Sequence, residues 1–152
     1  MLFLLVVAGL GLCLSGPGRG WMNRTFFAPK AINDSRIVLL TVPTEQRNQQ
    51  LKAFYKTYHN KNGFYGLVSP KQTIEGDPLQ IFLISNNGQT QVIIDYTHDR
   101  YSDRNYKQLN PLTIQLGYKD DKGNFIEGVS NLSQDSNYVL KIEFPDDTLY
   151  VK

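Results

Sequence analysis

The chain has 152 residues, of which 16 are Lys or Arg and 14 are Asp or Glu, for a net charge of +2 at pH 7. That balance excludes a strong field for drawing in nucleic acid or an anionic membrane, and a single cysteine excludes an internal disulfide framework and a Cys-based structural zinc site. With 41% hydrophobic and 20% charged residues, the composition is that of a packed single domain and not of a disordered chain.

Leu2 to Leu14 form an uncharged apolar run, LFLLVVAGLGLCL. It is shorter than the ~20 residues that span a bilayer and has the length of a signal-peptide core. Leu14-Ser15-Gly16 approaches a lipoprotein cleavage site, but Pro17 stands where the lipid-accepting cysteine would be. Proline has no N–H and a fixed φ, so it suits that position poorly. Cys13 follows a leucine, where a small residue is the rule. Residues 1–16 therefore read as an export leader, lipoprotein-like in outline. Residues 17–32, with Pro17-Gly18-Arg19-Gly20, read as a flexible tether. In it Trp21, Phe26 and Phe27 either pack back on the domain or lie at a membrane surface. Residues 33–152 form one folded domain.

Arg36 to Val42 is a strand-type run that Pro43 stops. Thr44 is a helix cap. From Glu45 the period is 3.6, with Leu51, Phe54, Tyr55 and Tyr58 on one face, and Gln46, Arg47, Asn48, Lys52 and Lys56 on the other. The helix runs about 14 residues and ends at Asn60, Asn62 and Gly63. It is the single convincing helix of the mature chain. A short strand is expected near Lys71 to Glu75. Leu79–Ile84 and Gln91–Tyr96 form a hairpin about Asn86-Asn87-Gly88, whose central residues tolerate positive φ. Thr97 to Asn110 is too polar for core. Thr113–Tyr118 is a strand, Asp120–Gly123 a turn, and Asn124–Ile126 its return. Tyr138, Leu140, Ile142 and Phe144 alternate on one strand face, and a last strand covers Thr148–Val151. Strand, helix, then antiparallel strands predict an α+β fold with the helix on one curled antiparallel sheet. A cystatin-like arrangement has this order, without the Gln-x-Val-x-Gly loop of cystatin inhibitors.

The sharpest local string is Thr73-Ile74-Glu75-Gly76-Asp77-Pro78-Leu79, followed by the hairpin and by Asp95-Tyr96-x-x-Asp99-x-Tyr101. Over residues 72–103 the chain resembles a family of small uncharacterised lipoproteins, a domain of unknown function, from Bacillus-type Gram-positive bacteria. From about Leu109 it departs from the family pattern, which carries a cysteine there. The resemblance implies an exported, surface-associated domain and supplies no activity.

Candidate site residues follow from the two loops of this string. Gly76 permits a turn, Pro78 fixes φ before the strand, and Asp77 can accept backbone N–H groups. Glu75 and Asp77 either shape that turn or line a ligand site. Asp95, His98, Asp99 and Asp103 cluster within nine residues, near Tyr101. Arg100 and Arg104 interrupt them, which favours local ion pairs over a calcium loop. His59 sits where a helix C-terminus favours it. No G-x-S-x-G, Walker A or dinucleotide-binding string occurs. No catalytic residue, metal or cofactor is assigned. The Asn-x-Ser/Thr strings at Asn23, Asn33 and Asn131 fit glycan acceptors only in a eukaryotic secreted chain.

The composite reading is an exported, cell-envelope-associated, non-enzymatic binding domain for a protein, peptide or wall component, with membrane association through the N-terminus and no nucleic-acid partner. One alternative is a small secreted inhibitor or immunity-type protein acting through residues 97–110. Another is a hydrolase using Glu75, Asp77 and Asp95 or Asp99.

Overall fold

The computed structural model describes residues 16–33, 36–128 and 137–152. The leader Leu2–Leu14, Cys13 and the string at Asn131 lie outside the described residues. Among the described residues, no helix is long and apolar enough to cross a membrane.

The fold is α+β, with antiparallel sheets and one long helix. Among the described residues the first elements are a short helix α1 (Gly16–Met22), a π-turn at Asn23–Phe27 and a 3₁₀ turn at Lys30–Asn33. Strand β1 (Ile37–Leu39) leads to helix α2 (Thr44–Asn60). The remaining strands are β2 (Phe64–Gln72), β3 (Pro78–Asn86), β4 (Gln89–Asp95), β5 (Tyr106–Leu109), β6 (Thr113–Lys119), β7 (Phe125–Glu127), β8 (Tyr138–Glu143) and β9 (Thr148–Val151).

The strands divide between two sheets instead of curling into one. The first has the order β1-β2-β3-β4-β5 and the second β7-β6-β8-β9. The break falls at Asn110-Pro111, where proline lacks an N–H for a ladder and restricts the residue before it. The second sheet has no counterpart in a one-sheet, cystatin-like arrangement. Pairing is antiparallel except between β1 and β2, which run parallel with Val38 opposite Leu67.

Helix α2 packs against β2 and β3 of one sheet and β6 and β8 of the other. It does so because its apolar residues recur at helical spacing. Leu51 and Phe54 are fully buried between Leu67, Leu83 and Val92 on one side and Leu116, Leu140 and Ile142 on the other. Each such side chain contributes roughly 1.5–3 kcal/mol on leaving water. Tyr55 and Tyr58 are half-buried at the edge of this core. Asn48, assigned by its polarity to the outer face, is instead buried, and its Oδ1 accepts the Tyr138 backbone N–H at 3.1 Å. It stands three residues before Leu51, so it shares the inner face. The helix ends at Lys61, which takes the left-handed conformation with φ 54°.

Three strand expectations change. The run from Arg36 contributes only three strand residues, after which Leu40 turns into the core. The short strand expected near Lys71 is the end of nine-residue β2. Gly66 and Pro70 obscure it in the sequence. Gly66 is needed because Ile37 lies against it, 2.7 Å from where a Cβ would stand. Pro70 pairs with Gln80 past the end of the β1 register, so its missing N–H deprives no neighbour on that side. The polar stretch after β4 contains β5, an edge strand whose outward residues are polar because one side of it faces water.

Residues 16–33 are folded and not an extended tether. Ala31 and Ile32 lie over Val68, Phe82, Ile84 and Ile93, the second apolar face of the first sheet. That sheet is therefore covered on both faces.

Candidate functional site

The sequence-predicted residues lie at one end of the first sheet, where the β2–β3 loop (73–77) and the β4–β5 loop (96–105) emerge. The β2–β3 loop is a tight turn. Gly76 takes φ +84°, its N–H reaches the Thr73 carbonyl, and Thr73 Oγ1 accepts the Asp77 N–H at 3.1 Å. Asp77 is thereby turned inward and is 6% exposed. It accepts the Arg100 backbone N–H at 3.1 Å and Arg100 Nε at 2.9 Å. One buried carboxylate thus ties the two loops together.

Asp95 and Asp99 organise the second loop. Asp95 Oδ1 accepts both the backbone N–H and the hydroxyl of Thr97, while Oδ2 accepts Arg24 Nη2 at 3.2 Å. Asp99 Oδ1 accepts the Tyr101 N–H at 2.8 Å. Ser102 Oγ donates to the Tyr96 carbonyl and accepts the Arg104 N–H. Arg104 takes φ 56°, which the short polar loop accommodates. These contacts are those of carboxylates that build turns.

The N-terminal segment is clamped to the same loop. Besides the Arg24–Asp95 pair, Asn23 Nδ2 donates to the Arg104 carbonyl, and Gly20 leaves room for the Thr97 carbonyl, 3.3 Å from where a Cβ would be. The side-chain nitrogen of the Asn-x-Thr string at Asn23 is thus engaged within the protein. Arg24 and Asn23 carry no sequence signal as site residues, because nothing local announces a partner more than seventy positions away.

Burial raises the phenol of Tyr106 to about 12, helped by the Asp95 carboxylate and opposed by Arg24. Tyr96 is raised for the same first reason, with Asp99 and Asp103 adding to it. A cleft of about 290 Å³ opens between Tyr96, Asp103, Asn105 and Tyr106.

The structure brings Asp77, Asp95, Asp99 and Tyr101 together, and leaves Glu75 and His98 in solvent. Among the described residues, no group of three or more His, Cys, Asp or Glu side chains is arranged to hold a metal ion. His59, exposed in the last turn of α2, contacts the rings of Tyr55 at 4.3 Å and Tyr58 at 5.1 Å. Among the polar residues that the loops expose stand two large apolar ones. Ile74 is fully exposed at the tip of the first loop and Tyr101 is 75% exposed on the second. Trp21, Phe26 and Phe27 are each more than 60% exposed on the clamped N-terminal segment, with Trp21 edge-on to Phe26 at 5.9 Å. Comparison of the chain with protein families, with curated proteins and with solved structures gives no match.

Proposed function

We propose that this chain is a non-enzymatic binding domain of the cell envelope that takes a protein or peptide partner on the loop end of its first sheet. The observation that carries this reading is the outward display of large apolar side chains from a fixed frame. Ile74 and Tyr101 sit on loops locked by the Asp77–Arg100 pair, and Trp21, Phe26 and Phe27 on a segment locked by Arg24–Asp95. Single exposed apolar residues are ordinary. Five on segments fastened to one end of a sheet fit an interaction surface, where aromatic residues are enriched. The apolar run Leu2–Leu14 supports the envelope location.

A hydrolase has less support, because Asp77 and Asp95 direct their oxygens to arginine, hydroxyl and backbone donors. A secreted inhibitor is favoured by one observation, the exposed Tyr101 within residues 97–110. Intact mass with fractionation of cells expressing the native gene tests location. A membrane-held form, or one cut near residue 16, is expected, and an uncleaved cytosolic form overturns the assignment. Capture from envelope extract tests the surface. The double change Ile74→Asp and Tyr101→Ala is expected to abolish capture without altering the thermal melt, and unchanged capture overturns it. Release of the cut form into the medium, with 1:1 capture of one enzyme, identifies the inhibitor.

A further inference from the structure

A second site lies away from the exposed apolar residues, in a cleft of about 770 Å³ between the two sheets. Four elements each bring one cation to it. Arg47 comes from α2, Lys71 from the end of β2, Lys119 from the end of β6, and Lys152 follows β9. These residues are scattered along the chain, so no basic run marks them in the sequence.

The cations are held in different ways. Arg47 Nη2 donates to Asn137 Oδ1 at 2.7 Å, while its buried Nε has no acceptor among the described residues. Lys119 Nζ stands 4.0 Å above the Tyr150 ring. Lys71 is half-buried, and among the described residues neither it nor Lys152 has a carboxylate within ion-pair distance. Burial, and then the charge of Lys152, push the Lys71 ammonium below its ordinary value. Lys71 is half-buried and so costly to keep charged without an anion beside it, whereas Lys119 and Lys152 are exposed.

Two carboxylates also line the cleft. Asp120 is committed to its own turn, accepting the N–H groups of Lys122 at 3.0 Å and Asn124 at 2.8 Å. Asp121 is exposed in that turn.

We propose that this cleft binds a small ligand through a phosphate group, with Lys71 and Lys152 as its principal charge partners and Arg47 as an oriented donor. The volume is that of a small-molecule site. Lysine supplies compact charge and arginine directed donors, a combination suited to phosphate oxygens. The two carboxylates beside the cations and the small net charge oppose a long polyanion, which needs a continuous basic track.

Isothermal titration of the full chain with inorganic phosphate and with phenyl phosphate tests this. Saturable binding is expected, weakened at least about tenfold by the double change Lys71→Gln and Lys152→Gln, as for the loss of charged hydrogen bonds. Lys71→Arg keeps the charge and is expected to retain binding, and Lys107→Gln on β5 is the control for bulk charge. Tighter binding of phenyl phosphate identifies a phosphorylated molecule as the ligand class, and equal binding identifies the free anion. Absence of binding at millimolar concentration, or equal loss in the Lys107→Gln control, overturns the proposal. Thermal melts of the variants separate lost binding from lost folding.

Discussion

Arg100 and Asp77 are 23 positions apart and joined twice, through the Arg100 backbone N–H and through its Nε. The two bonds differ in kind. The guanidinium is largely solvated, with a side chain 64% exposed, whereas the carboxylate is 8% exposed. An exposed ion-pair partner contributes little, at most about 1 kcal/mol. A backbone donor stripped of its acceptor costs about 1–3 kcal/mol.

Asp77→Ala is therefore expected to destabilise the domain by about 1–3 kcal/mol, and Arg100→Gln by less than about 1 kcal/mol. Urea unfolding of the two variants measures the difference. Hydrogen exchange is expected to speed up at the amides of 97–103 in Asp77→Ala only. Equal effects would mean that the guanidinium, and not the backbone bond, fastens the loops.

Asn48 is the polar residue inside the apolar face of α2, and its acceptor serves the first residue of β8. Asn48→Leu removes that acceptor and leaves the Tyr138 N–H unpaired in the core. A loss of about 1–3 kcal/mol is expected in spite of the added apolar surface. Denaturant midpoints at constant slope give the value.

Gly117 is the position on β6 where β7 comes closest. A Cβ there would stand on the Ile126 carbonyl oxygen and 2.7 Å from the Phe125 ring. Because the first of these is backbone, a rotamer change cannot relieve it. Gly117→Ala is expected to cost about 1–3 kcal/mol, as overpacking does, and to free β7 while β8 and β9 keep their pairing. Residue-resolved hydrogen exchange distinguishes this from global loss.

Tyr106 has its pKa raised to about 12 by burial and by Asp95. A group whose folded pKa exceeds its unfolded value binds more protons when folded. Its contribution is intact below pH 10, the ordinary tyrosine value, and falls as pH rises from there toward 12. Tyr106→Phe is expected to lessen the fall in stability over that range and to remove the last tyrosinate absorbance to appear. Unfolding midpoints at about pH 9, 10 and 11 in both proteins, from below to above the ordinary tyrosine value, check the slope.

Arg24 ties the N-terminal segment to the buried Asp95 carboxylate. Arg24→Ala is expected to quicken limited proteolysis between residues 20 and 30 by about tenfold, the effect of ~1.4 kcal/mol on a local opening equilibrium. The rest of the domain should resist as before.

Local chemistry alone determined much of the fold. The 3.6 period of Leu51, Phe54, Tyr55 and Tyr58 located α2. Asn87-Gly88 located its hairpin, with φ of 51° and 75°. Asp120–Gly123 marked a further turn. Alternation located β6 and β8, because backbone preference and side-chain period are properties of neighbouring residues. The carboxylate-rich strings around Asp77 and Asp95 were also legible, as turn-forming chemistry.

Contacts between distant segments decided the rest. Whether the strands made one sheet or two depended on α2 inserting between both inner faces. Asn48 could be placed inside only once Tyr138 lay opposite it. The helical turns of 16–33 look like a tether in sequence because their anchors, Asp95 and the Arg104 carbonyl, are supplied by another part of the chain. The cleft of Arg47, Lys71, Lys119 and Lys152 exists only after two sheets and a helix meet. Charges that converge from separate elements leave no periodic or local trace, since the field at a site depends on distance in space and not along the chain.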